Sequence, residues 1–146
     1  MGNITKAYKV VRVLANGDRV SVVATKKGWK KFYVHHGKIV PVDNAFVFDN
    51  LDDAIRFASY NADEVWECEG VNYRKPYWML DSDYITAGYR VVTLAKEVLL
   101  KIFSHREPLV PQDLAGDFWL QVPPKGTILL DQVKLTKNLG YSFEIF

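Results

Sequence analysis

Hydrophobic and polar positions alternate along the first forty residues with the period of two that marks β-strands. Tyr8-Lys9-Val10-Val11-Arg12-Val13-Leu14-Ala15 is rich in β-branched side chains. It runs into Asn16-Gly17, a dipeptide suited to a type I′ turn because both central positions need positive φ. Arg19–Thr25 returns as a second strand, and a turn at Lys26-Lys27-Gly28 leads into a third over Trp29–His35. His36-Gly37-Lys38 turns again into Ile39-Val40, which completes a β-meander.

The period then changes. Ala45-Phe46-Val47-Phe48 reads as a short buried strand, and Asn50 is placed to N-cap a helix with Asp52 and Asp53 in its first turn. Leu51, Ala54, Ile55 and Ala58 recur at helical spacing, which predicts a helix ending near Asn61. Glu64–Glu69 alternates again, with Trp66 and Cys68 inward, Glu67 and Glu69 outward, and Gly70 closing the strand. Residues 71–92 read as an irregular aromatic excursion that ends in a short strand at Arg90-Val91-Val92. Thr93 caps a second predicted helix over Leu94–Phe103, and Pro108 and Pro111 break the chain after it. Phe118–Val122, Thr127–Leu130, Gln132–Thr136 and Tyr141–Phe146 are strand-like, with a turn at Pro123-Pro124-Lys125-Gly126. These elements predict a single α+β domain over residues 1–146: a mainly antiparallel sheet beginning with a β-meander, two principal helices packed on one face.

Charge sharpens this picture. Residues 1–40 hold Lys6, Lys9, Arg12, Arg19, Lys26, Lys27, Lys30, Lys31 and Lys38 against the single acid Asp18, whereas residues 41–83 hold ten acids against Arg56, Arg74 and Lys75. Such halves can pair within one fold, pair between subunits as a homo-oligomer, or leave a basic face for a polyanion. One cysteine, Cys68, excludes an intramolecular disulfide and a multi-cysteine metal site. The first twenty residues are charged throughout, so no secretory leader is expected; Val91–Phe103 is too charged to cross a bilayer. The expectation is a cytoplasmic protein that makes no membrane contact.

Motifs for catalysis are missing. The nine glycines never take a phosphate-loop spacing, and no serine sits in a nucleophile elbow. His35 and His36 are adjacent and would point to opposite faces of a strand, so no metal site, cofactor or catalytic residue is expected. Cys68 beside Trp66 reads as a small buried hydrophobe. Two candidate binding regions remain. In the first, Lys26, Lys27, Lys30 and Lys31 surround Trp29, with Tyr33 and His35 following: lysines that can meet phosphates beside aromatic faces that can stack on bases. The same lysines would equally protect a strand edge from aggregation. In the second, Tyr73, Tyr77, Trp78 and Tyr84 could line a pocket for a planar, nucleotide-like ligand, contact a protein, or pack as core.

Three stretches carry a family resemblance. Tyr8-Lys9-Val10-Val11-Arg12 with Gly17 and Ser21 is the first; Phe46-Val47-Phe48-Asp49 through Ala54-Ile55-Arg56-Phe57-Ala58 into Glu64–Glu69 is the second. The third is Pro123-Pro124-Lys125-Gly126-Thr127 leading into Asp131–Leu135. Together they resemble a family of small uncharacterised phage- and prophage-encoded proteins, over about half the chain by eye. The resemblance implies a viral or mobile-element accessory protein and transfers no functional residue. The expected function is a non-enzymatic binding protein that occupies a host protein in the host cytoplasm. Nucleic-acid binding through residues 26–35 and sequestration of a nucleotide-like ligand are the alternatives, with an enzyme third.

Overall fold

The computed structural model describes residues 3–22, 31–58, 63–76, 79–80, 120–121 and 123–141. In chain order its elements are β1 (Thr5–Val13), β2 (Arg19–Ser21), β3 (Phe32–His35), β4 (Lys38–Ile39), β5 (Ala45–Phe48), α1 (Leu51–Phe57), β6 (Asp63–Arg74), β7 (Met79–Leu80), β8 (Leu120–Gln121) and β9 (Thr127–Tyr141). All pairings are antiparallel, and one seven-stranded sheet runs β4-β3-β2-β1-β5-β9-β6. This overturns the expected α+β fold with two principal helices. The described residues form a β fold with one seven-residue helix, and the second predicted helix, Leu94–Phe103, lies outside them.

The sheet closes on itself. β1 pairs with β6 from Thr5↔Gly70 to Arg12↔Asp63, β6 with β9, β9 with β5, and β5 returns to β1 at Tyr8↔Phe48. Closure removes the edges of these four strands. The inner face is filled by Ala7 and Val11 of β1, Ala45 and Val47 of β5, Cys68 of β6 and Ile128, Leu130, Val133 and Leu135 of β9, joined by Tyr33 and Val34 of β3. Ile128, Leu130 and Leu135 are fully buried, each worth about 1.5–3 kcal/mol of transfer free energy. A second cluster on the outer face packs α1, through Ala54 and Ile55, on Val10, Phe48 and Val65.

Several local expectations hold and several shift. The β1–β2 hairpin is present, but Asn16 lacks positive φ: Leu14 N–H donates to Asp18 O and Gly17 N–H to Leu14 O around a three-residue loop in which Gly17 alone is left-handed (φ 91°). The turn with two left-handed centres is His36-Gly37 (φ 51° and 76°), between the paired His35 and Lys38. Asn50 caps α1 by accepting from Asp53 N–H at 3.2 Å. The helix stops at Phe57, short of Asn61, because Ala58 has already turned extended (ψ 114°).

Gly70 continues β6 instead of ending it. A Cβ there would meet Asp131 O at 2.8 Å and Leu130 Cβ at 2.9 Å, so the glycine permits close approach of β9. The runs predicted at Thr127–Leu130 and Gln132–Thr136 are one fifteen-residue strand. Left-handed Gln132 (φ 53°) interrupts its alternation, so that 128 and 130 face inward before it and 133 and 135 after it.

Candidate functional site

Part of the uneven charge distribution is met inside the molecule, between described residues of the two halves. Antiparallel pairing sets Arg12 opposite Asp63 and Val11 opposite Glu64. Arg12 Nε donates to Asp63 Oδ1 at 3.3 Å, and Arg19 grips Glu64 through Nε at 2.9 Å and Nη2 at 3.4 Å. Glu64 also accepts from Trp66 Nε1 at 3.0 Å and Asn138 Nδ2 at 3.1 Å. Burial pushes the Glu64 carboxyl up, but the bonds from Arg19, Trp66 and Asn138 outweigh it and hold the group below its ordinary value. Glu64 is buried (4% exposed) and ionised, on the parity of inward Trp66 and Cys68 in a strand whose Glu67 and Glu69 are expected to face water.

Of the sequence-predicted binding residues, Lys31, Tyr33, His35 and Tyr73 are among the described residues. Lys26, Lys27, Trp29, Lys30, Tyr77, Trp78 and Tyr84 lie outside the described residues. Lys31, expected to be available to a polyanion, donates from Nζ to the carbonyls of Asp43 (2.8 Å) and Asn44 (3.2 Å). Tyr33, expected on the same surface, is 1% exposed and belongs to the inner core. β3 does not alternate in burial: adjacent Tyr33 and Val34 are both buried, so the strand is covered on both faces, and it lies inside the sheet between β2 and β4. Tyr73, expected to line a pocket, contact a protein or pack as core, is 52% exposed.

His35 is recruited to structure as well. Its Nδ1 lies 2.8 Å from Asp18 Oδ2, while Asp18 Oδ1 accepts the His36 backbone N–H at 3.1 Å. Asn16 completes the clasp, donating to Asp18 Oδ2 at 3.3 Å and accepting from Asp18 N–H at 3.0 Å. Desolvation raises the Asp18 pKa, but the bonds from His35, His36 and Asn16 bring it below the ordinary value. One buried acid thus ties the β1–β2 loop to the left-handed β3–β4 turn.

A second polar knot sits where β6 and β9 bend. Arg74 is buried and donates to Asn72 O (2.7 Å), Asn44 Oδ1 (2.9 Å) and Asp131 Oδ1 (3.1 Å). Asn72 Nδ2 holds the other Asp131 oxygen at 2.8 Å. Asn44 and Asn72 (φ 53° and 60°) are left-handed, as is neighbouring Gln132, so side-chain bonds here hold strained backbone in place. Desolvation of Asp131 is outweighed by Asn72 and Arg74, and its pKa falls. This knot shapes the corner where the sheet closes.

A further polar group lies inside the ring. Lys9 lies between Ala7 and Val11 on the inner face of β1. Its Nζ donates to Phe46 O at 2.6 Å and sits 5.1 Å from the centroid of the Tyr33 ring. Desolvation lowers its pKa to about 8, with the Cys68 sulfur favouring and Lys31 opposing its charge. Burial pushes the Cys68 thiol up to about 12 and the Tyr33 hydroxyl higher still. In the sequence Lys9 stands only among the charges of the basic half, although a further signal is there: in the alternation of β1 it takes the parity of Ala7 and Val11, a cationic residue at an inward position.

No family model, curated protein or solved structure matches the chain. Among the described residues, no helix is long and apolar enough to cross a membrane, and no group of three or more His, Cys, Asp or Glu could hold a metal ion.

Proposed function

We propose that this chain is a non-enzymatic binding module that works by occupying a partner protein. The family resemblance makes it a phage or mobile-element accessory protein and its partner a host factor in the cytoplasm. One contrast carries the reading. The ionic groups Asp18, Arg19, Glu64, Arg74 and Asp131 are committed to bonds within the fold, while Ile4 (65%), Tyr73 (52%) and Ile39 (47%) present large apolar side chains to solvent. Ile39 belongs to β4, the strand at the end of the sheet order, which among the described residues has a neighbour on one side. An edge of this kind offers backbone donors and acceptors to an incoming segment, with the isoleucine adding apolar contact.

The polyanion reading rests on residues 26–35, of which Lys26, Lys27, Trp29 and Lys30 lie outside the described residues and Lys31 engages backbone carbonyls. The nucleotide-like ligand reading rests on Tyr77, Trp78 and Tyr84, which lie outside the described residues. Affinity capture from the native lysate, with and without nuclease, separates these readings. The expected result is a protein retained after nuclease treatment and lost with Ile39→Glu or Tyr73→Glu, both variants remaining folded by circular dichroism. Capture abolished by nuclease, or unaffected by either substitution, would overturn the proposal.

A further inference from the structure

One carboxylate gathers the β1–β2 loop and the β3–β4 turn. Asp18 is buried; its Oδ2 meets the His35 ring at 2.8 Å and Asn16 Nδ2 at 3.3 Å, and its Oδ1 takes the His36 N–H at 3.1 Å. Asn16, unlike Asp18, is exposed, and no other asparagine of the chain precedes a glycine. That pairing sets an amide carbon beside a backbone nitrogen that no Cβ shields. A Cβ built on Gly17 would find nothing within 4 Å, so water and hydroxide have open access to the loop.

We propose that Asn16 is a spontaneous modification site, losing its side-chain amide through a cyclic imide with Gly17, and that the carboxylate left behind opens the clasp on Asp18. The Gly17 nitrogen gives up its proton to hydroxide and attacks Asn16 Cγ, forming a C–N bond. The Cγ–Nδ2 bond breaks, and the nitrogen takes a proton from water and leaves as ammonia. Water then adds to one of the two imide carbonyls. Cleavage of the new bond returns an aspartate, and cleavage of the original peptide bond gives an isoaspartate. Gly17 recovers its N–H in either case, and no oxidant or reductant enters.

The loop assists the first step and suffers from the last. Asp18 N–H donates to Asn16 Oδ1 at 3.0 Å, where negative charge develops as the nitrogen attacks. The Gly17 N–H bond to Leu14 O is the one contact that must be given up. In the product an oxygen replaces the Nδ2 donor, so two carboxylates face each other where a hydrogen bond stood. The other groups around them are already engaged: His35 and His36 with Asp18, and Arg19 with Gly17 O and Glu64. An isoaspartate also threads an extra methylene through a loop closed by Leu14 N–H on Asp18 O.

The test is incubation of the folded chain at mildly alkaline pH, read by peptide mass spectrometry with an isoaspartate assay. Asn16 should show the amide-to-acid mass change well ahead of the exposed Asn3, Asn50 and Asn138, as a mixture of both products. Asn16→Asp supplies one product directly. It should lower the urea midpoint at neutral pH, and the difference from the parent chain should narrow as pH falls through the carboxylate range. Two results would overturn the proposal: an Asn16 amide that lasts as long as the other three, or a midpoint unchanged at neutral pH in Asn16→Asp. A loss in that variant that stays constant at low pH would overturn the charge conflict with Asp18.

Discussion

At the scale of single residues, three acids define how the molecule uses charge. Asp18, Glu64 and Asp131 are each wrapped by donors that outweigh desolvation, and each is held below its ordinary carboxylate value of 3.8 or 4.5. A carboxyl with a depressed folded pKa binds fewer protons in the folded state than in the unfolded one through the acidic range. Stability therefore rises with pH across that window. The contribution is complete above the unfolded values and disappears as pH falls through the folded ones. Urea midpoints measured from neutral pH downward should stay level to about pH 5 and then drop steeply. Glu64→Gln should flatten part of that drop, since it removes one titrating group. A midpoint insensitive to pH between about 5 and 2 would contradict the bonding described for all three.

At the scale of elements, the two long strands decide the architecture, and their irregularities matter more than their regular parts. β6 and β9 slip register at four places, between Val65/Trp66, Glu67/Cys68, Glu69/Val71 and Val71/Arg74. Each slip adds bend and twist, which a pair of strands needs to wrap round to β1 and β5. Gly70 lies in the third of these, against Asp131 and Leu130. Gly70→Ala should cost about 1–3 kcal/mol in chemical denaturation, because backbone and not a flexible side chain stands in the way. The same substitution at Gly37, where no atom lies within 4 Å but φ is 76°, tests a different term: backbone strain without crowding.

At the scale of the molecule, closure and charge pairing are one event. The register that brings Thr5 opposite Gly70 also brings Arg12 of β1 to Asp63, and Arg19 of β2 reaches Glu64, so two cations of the basic half are met by acids of β6. Charges that meet within one fold are not left for a second copy of the chain, and the two arrangements respond differently to salt. Sedimentation should give the same coefficient at low and high salt. A species that dissociates as salt is added would show that subunit pairing, and not the fold alone, consumes the charge.

Much of this was readable along the chain. The period-two rhythm located the strands of the meander, Asn50 announced the helix start, and the Pro123–Gly126 turn preceded β9 as expected. Those signals are local: a turn, a cap or an alternation depends on residues a few positions apart. Sequence periodicity could not tell that Leu51–Ala58 supports only one short helix, since its apolar spacing continues past the point where the backbone turns. Nor could it tell that Tyr33 packs inward while Ile39 stays out. Those outcomes, together with the isolation of Lys9 among apolar neighbours and the pairing of Glu64 with Arg19, depend on partners tens of residues away. Local pattern assigns each side chain to a face; register and closure decide what that face meets, and with it the chemistry left available.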